Sequence, residues 1–83
     1  MSYFAYILEC ADKTLYVGST DDLKKRLHAH NNLKSGAHYT KIRRPVVCKY
    51  SETFATLKEA QARERALKKL TRKEKLELVN KIL

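Results

Sequence analysis

The sequence predicts an α+β fold in which three helices flank a central three-stranded antiparallel β-sheet, in the order β-β-α-β-α-α. Two short apolar runs joined by a polar connector predict a β-hairpin near the N-terminus. Two Thr-x-x-Glu capping boxes, beginning at Thr56 and Thr71, predict helices in the second half. A chain of 83 residues fits one domain over residues 1–83.

The hairpin is expected to consist of strands at residues 3–9 and 14–18. Both faces of the first strand are apolar, so the strand that carries Tyr6 is expected to be covered on both sides or to lie at the centre of the sheet. In the second strand, Tyr16 lies on the face opposite Val17, which is expected to point into the core. The Tyr16 hydroxyl is therefore expected to be accessible. A sharp turn at the glycine after Val17 is expected to end this strand.

The first helix is expected at residues 21–31, with two aspartates in its first turn, where negative charge suits the helix dipole. Leu23 and Leu27 are four residues apart and define its buried face. Arg26 and His30 flank that face and are also four apart. Their side chains are therefore expected to meet over one spot.

Residues 32–44 are predicted to form a polar loop that contains four basic residues together with His38 and Tyr39. Basic side chains interleaved with an aromatic ring suit a single-stranded or distorted nucleic-acid backbone. The alternative is an ordinary solvated loop. Pro45 then precedes the third predicted strand at residues 46–54, because proline is tolerated where a strand begins.

The last two helices are expected at residues 56–69 and 71–83, and the second of them is expected to serve packing. In the first, Glu64 falls within the apolar stripe that contains Leu57 and Leu67. A carboxylate among core-facing residues is costly unless it is paired or used. Two explanations remain open, a buried salt bridge to a nearby arginine and a functional role.

Charge is the strongest feature of the composition, with 18 Lys and Arg against nine Asp and Glu and a net charge of +9. Such an excess favours a polyanionic partner, nucleic acid above all. A basic protein without a specific partner is the alternative. No apolar run approaches the roughly 20 residues of a membrane span, so no membrane partner is expected. Two distant cysteines and an N-terminus unlike a signal peptide favour a cytoplasmic location.

Six side chains form a set that suits hydrolysis of a phosphodiester. Such chemistry needs positive charge on the phosphate, a polar base for water and a carboxylate for one divalent ion. A lone carboxylate supplemented by water and phosphate oxygens suits Mg²⁺. The six candidates are Tyr6, Tyr16, Arg26, His30, His38 and Glu64.

Several segments follow one another in the order and spacing of a known family. They are Phe4-Ala5-Tyr6, Tyr16-Val17-Gly18, Leu23-Lys24-Lys25-Arg26-Leu27 with His30, Gly36-Ala37-His38-Tyr39-Thr40, Arg43-Arg44-Pro45-Val46, and Ala62-Arg63-Glu64 with Leu67-Lys68. In these segments the chain resembles the GIY-YIG nuclease superfamily, and most of all its small single-domain bacterial proteins of the URI type. Two departures stand out. The first motif matches only at its tyrosine, and Ser19 stands where excision-repair members have a lysine.

The resemblance implies metal-dependent hydrolysis of DNA, with little sequence specificity, in DNA repair or processing. Glu64 is implied as the sole carboxylate on a single Mg²⁺ or Mn²⁺ ion. Tyr16 is implied as the general base or the group that orients the water. The other implied roles are Tyr6 as a supporting hydrogen-bond donor, Arg26 as the clamp on the scissile phosphate, and His30 and His38 as site histidines.

The expected partner is duplex, branched or single-stranded DNA, with a protein partner that supplies specificity and a chain that is a monomer or weak dimer. The expected nucleic-acid contacts are Lys24, Tyr39, Lys41, Arg43, Arg44 and Arg63. One alternative is a non-catalytic nucleic-acid-binding module on the same fold. Another is a small interaction protein whose basic surface binds an acidic protein.

Overall fold

A three-stranded antiparallel sheet with strand order β2-β1-β3 forms the centre of the molecule, as predicted. The computed structural model describes residues 2–81. Its elements are β1 (Tyr3–Glu9), β2 (Leu15–Thr20), α1 (Leu23–Asn32), α2 (His38–Lys41), β3 (Val47–Phe54), α3 (Leu57–Lys68) and α4 (Arg72–Asn80). The predicted continuation of the last helix to residues 82 and 83 lies outside the described residues. None of the described helices is long and apolar enough to cross a membrane.

Strand β1 lies between the two edge strands, which confirms its predicted central position. Ala5 is paired with Ser19 on β2 and with Glu52 on β3, so these three residues form a row across the sheet. In the next row, Tyr6 is opposite Gly18 on β2. Because side chains alternate along a strand, consecutive rows point to opposite faces of the sheet.

The two faces of the sheet carry separate cores. The first, here called the aliphatic face, is covered by α3 and α4 and centres on Ala5, Ile7, Val17 and Leu67. The second, here called the aromatic face, centres on Tyr6, Leu8, Cys10 and Val46, with Tyr16, Leu23, Leu27 and Tyr39 packed against it. Helix α1 and the short α2 therefore lie on the opposite side of the sheet from α3.

Capping side chains set where the helices begin. Asp22 is the N-cap of α1 and accepts a hydrogen bond from the Lys25 amide at 3.0 Å. The expectation that both aspartates lie in the first turn was wrong, because Asp22 caps the helix and α1 begins at Leu23. Thr71 forms a complete capping box with Glu74 at the start of α4, as the sequence predicts. Thr56 caps α3 by accepting from the Glu59 amide at 3.2 Å.

Two local expectations are corrected by the structure. Residues 38–41 of the predicted loop form the single helical turn α2, because the Lys41 amide donates to the Ala37 carbonyl oxygen at 3.1 Å and closes the turn, and the buried Thr40 hydroxyl donates to the same oxygen at 2.9 Å. Gly18 lies within β2 instead of in a turn, and its φ is not positive. The small residue is needed for another reason: a Cβ at Gly18 would lie 2.5 Å from the Tyr6 hydroxyl oxygen.

Candidate active site

A buried hydrogen-bonded chain joins three elements on the aromatic face. His30, near the end of α1, is fully buried, with Nε2 lying 2.9 Å from the Tyr6 hydroxyl and Nδ1 lying 2.8 Å from Thr40 Oγ1. Tyr6 is only 1% exposed. The expectation that His30 flanks the buried face of α1 was therefore wrong, since His30 is part of the core.

The direction of these hydrogen bonds follows from counting protons. Thr40 has one hydroxyl proton, which it donates to the Ala37 carbonyl oxygen, so its Oγ1 accepts from His30 Nδ1. A neutral imidazole has one ring proton, which lies on Nδ1. His30 Nε2 is therefore unprotonated and accepts a hydrogen bond from the Tyr6 hydroxyl. Tyr6 is thus a hydrogen-bond donor within the protein, and its lone pairs remain for other partners.

The pKa values of the two groups agree with this arrangement. Burial, followed by the nearby charges of Arg26 and Arg44, lowers the pKa of His30 to about 4, so the imidazole is neutral at pH 7. Burial raises the pKa of Tyr6 to about 12, against the opposing effect of Arg26. Arg26, Tyr16 and Glu64 all act on the Tyr6 hydroxyl, which therefore lies within electrostatic range of all three.

Tyr16 lies beside this chain, on edge strand β2, and is partly exposed. Its ring contacts His30 edge-on, with centroids 5.1 Å apart, and stacks on Tyr39 at 5.9 Å. The Arg43 guanidinium carbon lies 3.9 Å from the centroid of the Tyr39 ring. Packing between these rings fixes the Tyr16 ring in position while the residue keeps some contact with solvent.

Glu64 approaches the same edge strand from the aliphatic face. Its Oε1 accepts from the Ser19 hydroxyl at 2.5 Å, and its Oε2 lies 2.8 Å from Lys68 Nζ. Burial acts to raise the pKa of this carboxyl, but hydrogen bonds from Lys68 and Ser19 outweigh that effect and hold the pKa below its ordinary value. Glu64 is therefore ionised near neutral pH. The salt bridge to an arginine that the sequence left open is instead a contact with a lysine and a serine.

The ionised Glu64 fits a hard divalent cation in charge and donor type, since Mg²⁺ and Mn²⁺ prefer oxygen ligands. Within residues 2–81, no group of three or more His, Cys, Asp or Glu side chains converges on one point. An ion on Glu64 would therefore need water or substrate oxygens to complete its coordination.

The other predicted site residues occupy a range of positions. Arg26 is half-buried and donates to the Ser35 carbonyl oxygen at 2.9 Å, while His38 is exposed at the start of α2. The contacts that join the Tyr6–His30 chain to α2, as far as the structure describes them, involve Tyr39 and Thr40 but not His38. The catalytic roles of these residues stay predictions.

Three of the predicted nucleic-acid contacts are engaged within the protein. Arg43 lies 3.1 Å from Asp12 and over Tyr39, while Arg63 donates to Glu52 at 2.8 Å. Arg44 donates to carbonyl oxygens at the end of α1, those of His30 at 2.6 Å and Leu33 at 2.7 Å. Lys24 is exposed on α1 and Lys41 is partly exposed on α2.

Sequence reasoning missed three residues of the site. Lys68 was visible in principle, because a lysine four residues after Glu64 on a helix is placed to pair with it. Ser19 lies 45 residues from its partner, and Thr40 lies ten residues from His30, so neither contact leaves a local sequence signal.

Comparison with known proteins identifies the family. The GIY-YIG catalytic domain matches residues 2–77. This chain belongs to the GIY-YIG family. The resemblance drawn from the motifs is thereby confirmed, and the family is one of nucleases.

Small bacterial GIY-YIG relatives are similar over most of their length. The UPF0213 protein CPE1444 of Clostridium perfringens is 51% identical over 93% of this chain and 82% of its own length. The UPF0213 protein YazA of Bacillus subtilis is 49% identical over 89% of this chain and 74% of its own. The solution NMR structure of the UPF0213 protein BH0048 of Bacillus halodurans is 35% identical and has a TM-score of 0.62, covering 99% of this chain and 86% of that one.

Proposed function

We propose that this protein is a metal-dependent endonuclease that hydrolyses DNA phosphodiester bonds with little sequence specificity. The observation that carries the proposal is that the Tyr6 hydroxyl lies within electrostatic range of Arg26, of Tyr16 and of the ionised, partly buried carboxylate of Glu64. A carboxylate, a guanidinium and a second phenol within electrostatic range of one phenol suit phosphodiester hydrolysis, and membership of a nuclease family supports the same chemistry.

Each side chain has a distinct task under this proposal. Glu64 holds one Mg²⁺ or Mn²⁺ ion, which supplies Lewis-acid stabilisation of the charge that develops on the phosphate. Arg26 binds the scissile phosphate. Tyr16 orients the attacking water or accepts its proton, and the lone pairs of Tyr6 accept a hydrogen bond at the same place. His30 is a positioning residue, because it accepts a hydrogen bond from the Tyr6 hydroxyl and so fixes its orientation.

Exposed cations near Glu64 supply the binding surface for the DNA backbone in this proposal. Successive residues of a helix are about 100° apart, so Arg65 and Arg63 project to opposite sides of Glu64. Arg63 is paired with Glu52, whereas Arg65 is exposed and its charge acts on Glu64. Lys58 and Lys69 lie on the Arg65 side of α3. Contacts by His38, Tyr39, Lys24 and Lys41 extend this surface.

The biological setting forms part of the same proposal. A small basic domain that binds DNA mainly through phosphates has little means of choosing a sequence. We expect it to act in DNA repair or processing in the cytoplasm, as a monomer or weak dimer, with a protein partner that selects the substrate.

Cleavage of labelled single-stranded, duplex and branched DNA with Mg²⁺ or Mn²⁺ tests the proposal. Tyr16→Phe, Arg26→Ala and Glu64→Gln are each expected to reduce the rate by about a hundredfold or more. Glu77→Gln makes the same change at an exposed position on α4 and serves as the control. Cleavage that survives Glu64→Gln would show that the activity belongs to a contaminant.

A non-catalytic nucleic-acid-binding module is the second candidate, favoured by one specific observation. Both oxygens of Glu64 already have partners, as they would in a purely structural ion pair. Under this alternative, Glu64→Gln lowers stability and leaves salt-sensitive DNA binding in place, with no cleavage by any variant. Binding that does not depend on salt concentration would instead point to an acidic protein as the partner.

A further inference from the structure

Glu64 is already paired with a cation of this chain, the Lys68 ammonium. Lys68 Nζ lies 2.8 Å from Oε2, while the Ser19 hydroxyl binds Oε1. Both carboxylate oxygens are therefore occupied by groups of this chain. A divalent ion that binds Oε2 competes with the lysine for this oxygen, since two cations so close together repel each other strongly.

We propose that Lys68 is an internal counter-ion, which holds Glu64 in the free protein and moves to a substrate phosphate when a divalent ion takes its place. The inference rests on the proposed metal-dependent function and adds a residue and a coupling to it. Lys68 would thereby favour metal binding in the presence of DNA over metal binding without DNA.

The side chain of Lys68 suits such a movement. It is 56% exposed, whereas the Glu64 side chain is 20% exposed, so the lysine can leave without disturbing the core. A lysine ammonium is a compact charge on a flexible four-carbon stem, and an exposed lysine–carboxylate pair contributes little free energy. Tyr16 is among the groups that raise the pKa of Lys68, which places Lys68 near the side of the site where the phosphate is proposed to bind.

Charge counting shows why metal and DNA would bind together. Glu64 and Lys68 are neutral as a pair, so adding a divalent ion alone leaves a local charge of +2 on one sheet edge. A phosphate reduces that charge and gives the displaced ammonium a new partner. Because binding free energies are linked reciprocally, DNA then strengthens metal binding by the same factor as metal strengthens DNA binding.

Calorimetric titration of the DNA-free protein with Mn²⁺ tests the displacement without any cleavage. Lys68→Met keeps the apolar stem and removes the charge, and is expected to tighten Mn²⁺ binding about two- to fivefold. Lys73→Met removes the same charge from an exposed lysine on α4 and is expected to leave the affinity within about twofold of wild type. Far-ultraviolet circular dichroism and thermal midpoints confirm that each variant is folded.

The outcomes separate this inference from the proposed function. Unchanged or weaker Mn²⁺ binding by Lys68→Met, with binding lost in Glu64→Gln, overturns the counter-ion while leaving the metal site intact. Equal tightening by Lys68→Met and Lys73→Met also overturns it, since the effect would then be general electrostatics. Mn²⁺ binding that survives Glu64→Gln overturns both, because the ion would not be on Glu64.

A second titration measures the coupling itself. In the Tyr16→Phe background, where a short duplex is expected to stay intact, DNA should raise Mn²⁺ affinity. Adding Lys68→Met should reduce that enhancement at least twofold, because no ammonium remains to be displaced. An enhancement of the same size in both proteins would overturn the proposed movement of Lys68 to phosphate.

Discussion

Helix α3 crosses the row of residues centred on Ala5 and makes an acid–base contact at each end of it. At the β3 end, Arg63 of α3 and the Tyr50 hydroxyl both donate to Glu52 Oε2, at 2.8 and 2.6 Å. At the β2 end, Glu64 of α3 contacts Ser19 and Lys68. The two ends have similar distances and the same kind of charge pair, on neighbouring residues of one helix.

The partners of the carboxylate differ in how easily they can be replaced. Glu52 is held by a planar guanidinium that is pre-organised for a carboxylate. Glu64 is held by a neutral hydroxyl and a lysine, and this lysine is 56% exposed where Arg63 is 35% exposed. The β3 end is therefore a closed structural contact, while the β2 end can exchange one partner for a ligand. The donor–acceptor distances are similar at the two ends, so they do not distinguish the structural contact from the exchangeable one.

The largest expected difference between the ends is in catalysis. Glu64→Gln should reduce DNA cleavage by about a hundredfold or more, because the proposed metal loses its only carboxylate. Glu52→Gln should leave the rate within about threefold, because that end contacts neither metal nor phosphate in the proposal. Single-turnover cleavage assays measure both. Equal losses would mean that the two ends act as one unit.

The free energy of unfolding is expected to depend on pH through His30 before the two carboxylates contribute. The pKa of His30 is about 4 in the folded protein, below its ordinary value of 6.5, so the unfolded chain binds more protons between these limits. Unfolding free energy should therefore fall by about 2–3 kcal/mol as pH drops from 6.5 to 4.

The contributions of Glu52 and Glu64 follow at lower pH. Both carboxyl pKa values are lowered, so their stabilisation is present above the ordinary value of 4.5 and is lost as pH falls through the folded value. Denaturant unfolding at a series of pH values measures all three groups. Stability that stays constant from pH 6.5 to 4.5 would contradict a neutral, buried His30.

Removing the base at each end should affect stability unequally. Arg63→Ala is expected to cost about 1–2 kcal/mol, because it leaves a half-buried carboxylate without its cation. Lys68→Ala is expected to stay within about 0.5 kcal/mol, since an exposed lysine contributes little. Urea unfolding monitored by circular dichroism gives both values. A larger loss for Lys68→Ala would make the β2 end a structural contact after all.

The smallest expected effect distinguishes the two arginines of α3 in DNA binding. Arg65→Ala should lower the slope of log K against log salt concentration by about one, since one phosphate contact is lost. Arg63→Ala should leave the slope unchanged, because its guanidinium is paired with Glu52. Fluorescence anisotropy over a range of salt concentrations checks both variants. Equal slopes for both variants would place the DNA away from the Arg65 side of α3.

The sheet and the long helices could be predicted because their signals are local. Apolar residues on both faces of β1 indicated a central strand, and threonines with a glutamate three residues later marked the starts of α3 and α4. The short α2 could not be predicted in the same way. It is one turn long, is supported by a side-chain hydrogen bond from Thr40, and lies within a polar segment that has no helical periodicity.

The site was predicted less completely than the fold. Periodicity singled out Glu64 because a carboxylate in an apolar stripe needs an explanation, and the structure supplies its partners. Arg44 was expected to bind nucleic acid, yet it donates to the last carbonyls of α1. A sequence shows that a basic residue is present. The groups with which it forms hydrogen bonds or ion pairs come from distant segments of the chain and cannot be identified from local sequence.

The hydrogen bonds that link Ala37, Thr40, His30 and Tyr6 determine whether the Tyr6 hydroxyl donates or accepts at the site. A backbone carbonyl can only accept, so the Ala37 oxygen fixes the direction of each hydrogen bond: Thr40 donates to Ala37, His30 donates to Thr40 and Tyr6 donates to His30. Without the Thr40 hydroxyl, as in Thr40→Val, the imidazole could adopt its other tautomer, with the proton on Nε2. Nε2 would then donate to the Tyr6 oxygen, which reverses the direction of that hydrogen bond. The Thr40 hydroxyl of the short helix α2 therefore keeps the lone pairs of the Tyr6 oxygen free to accept hydrogen bonds from other groups.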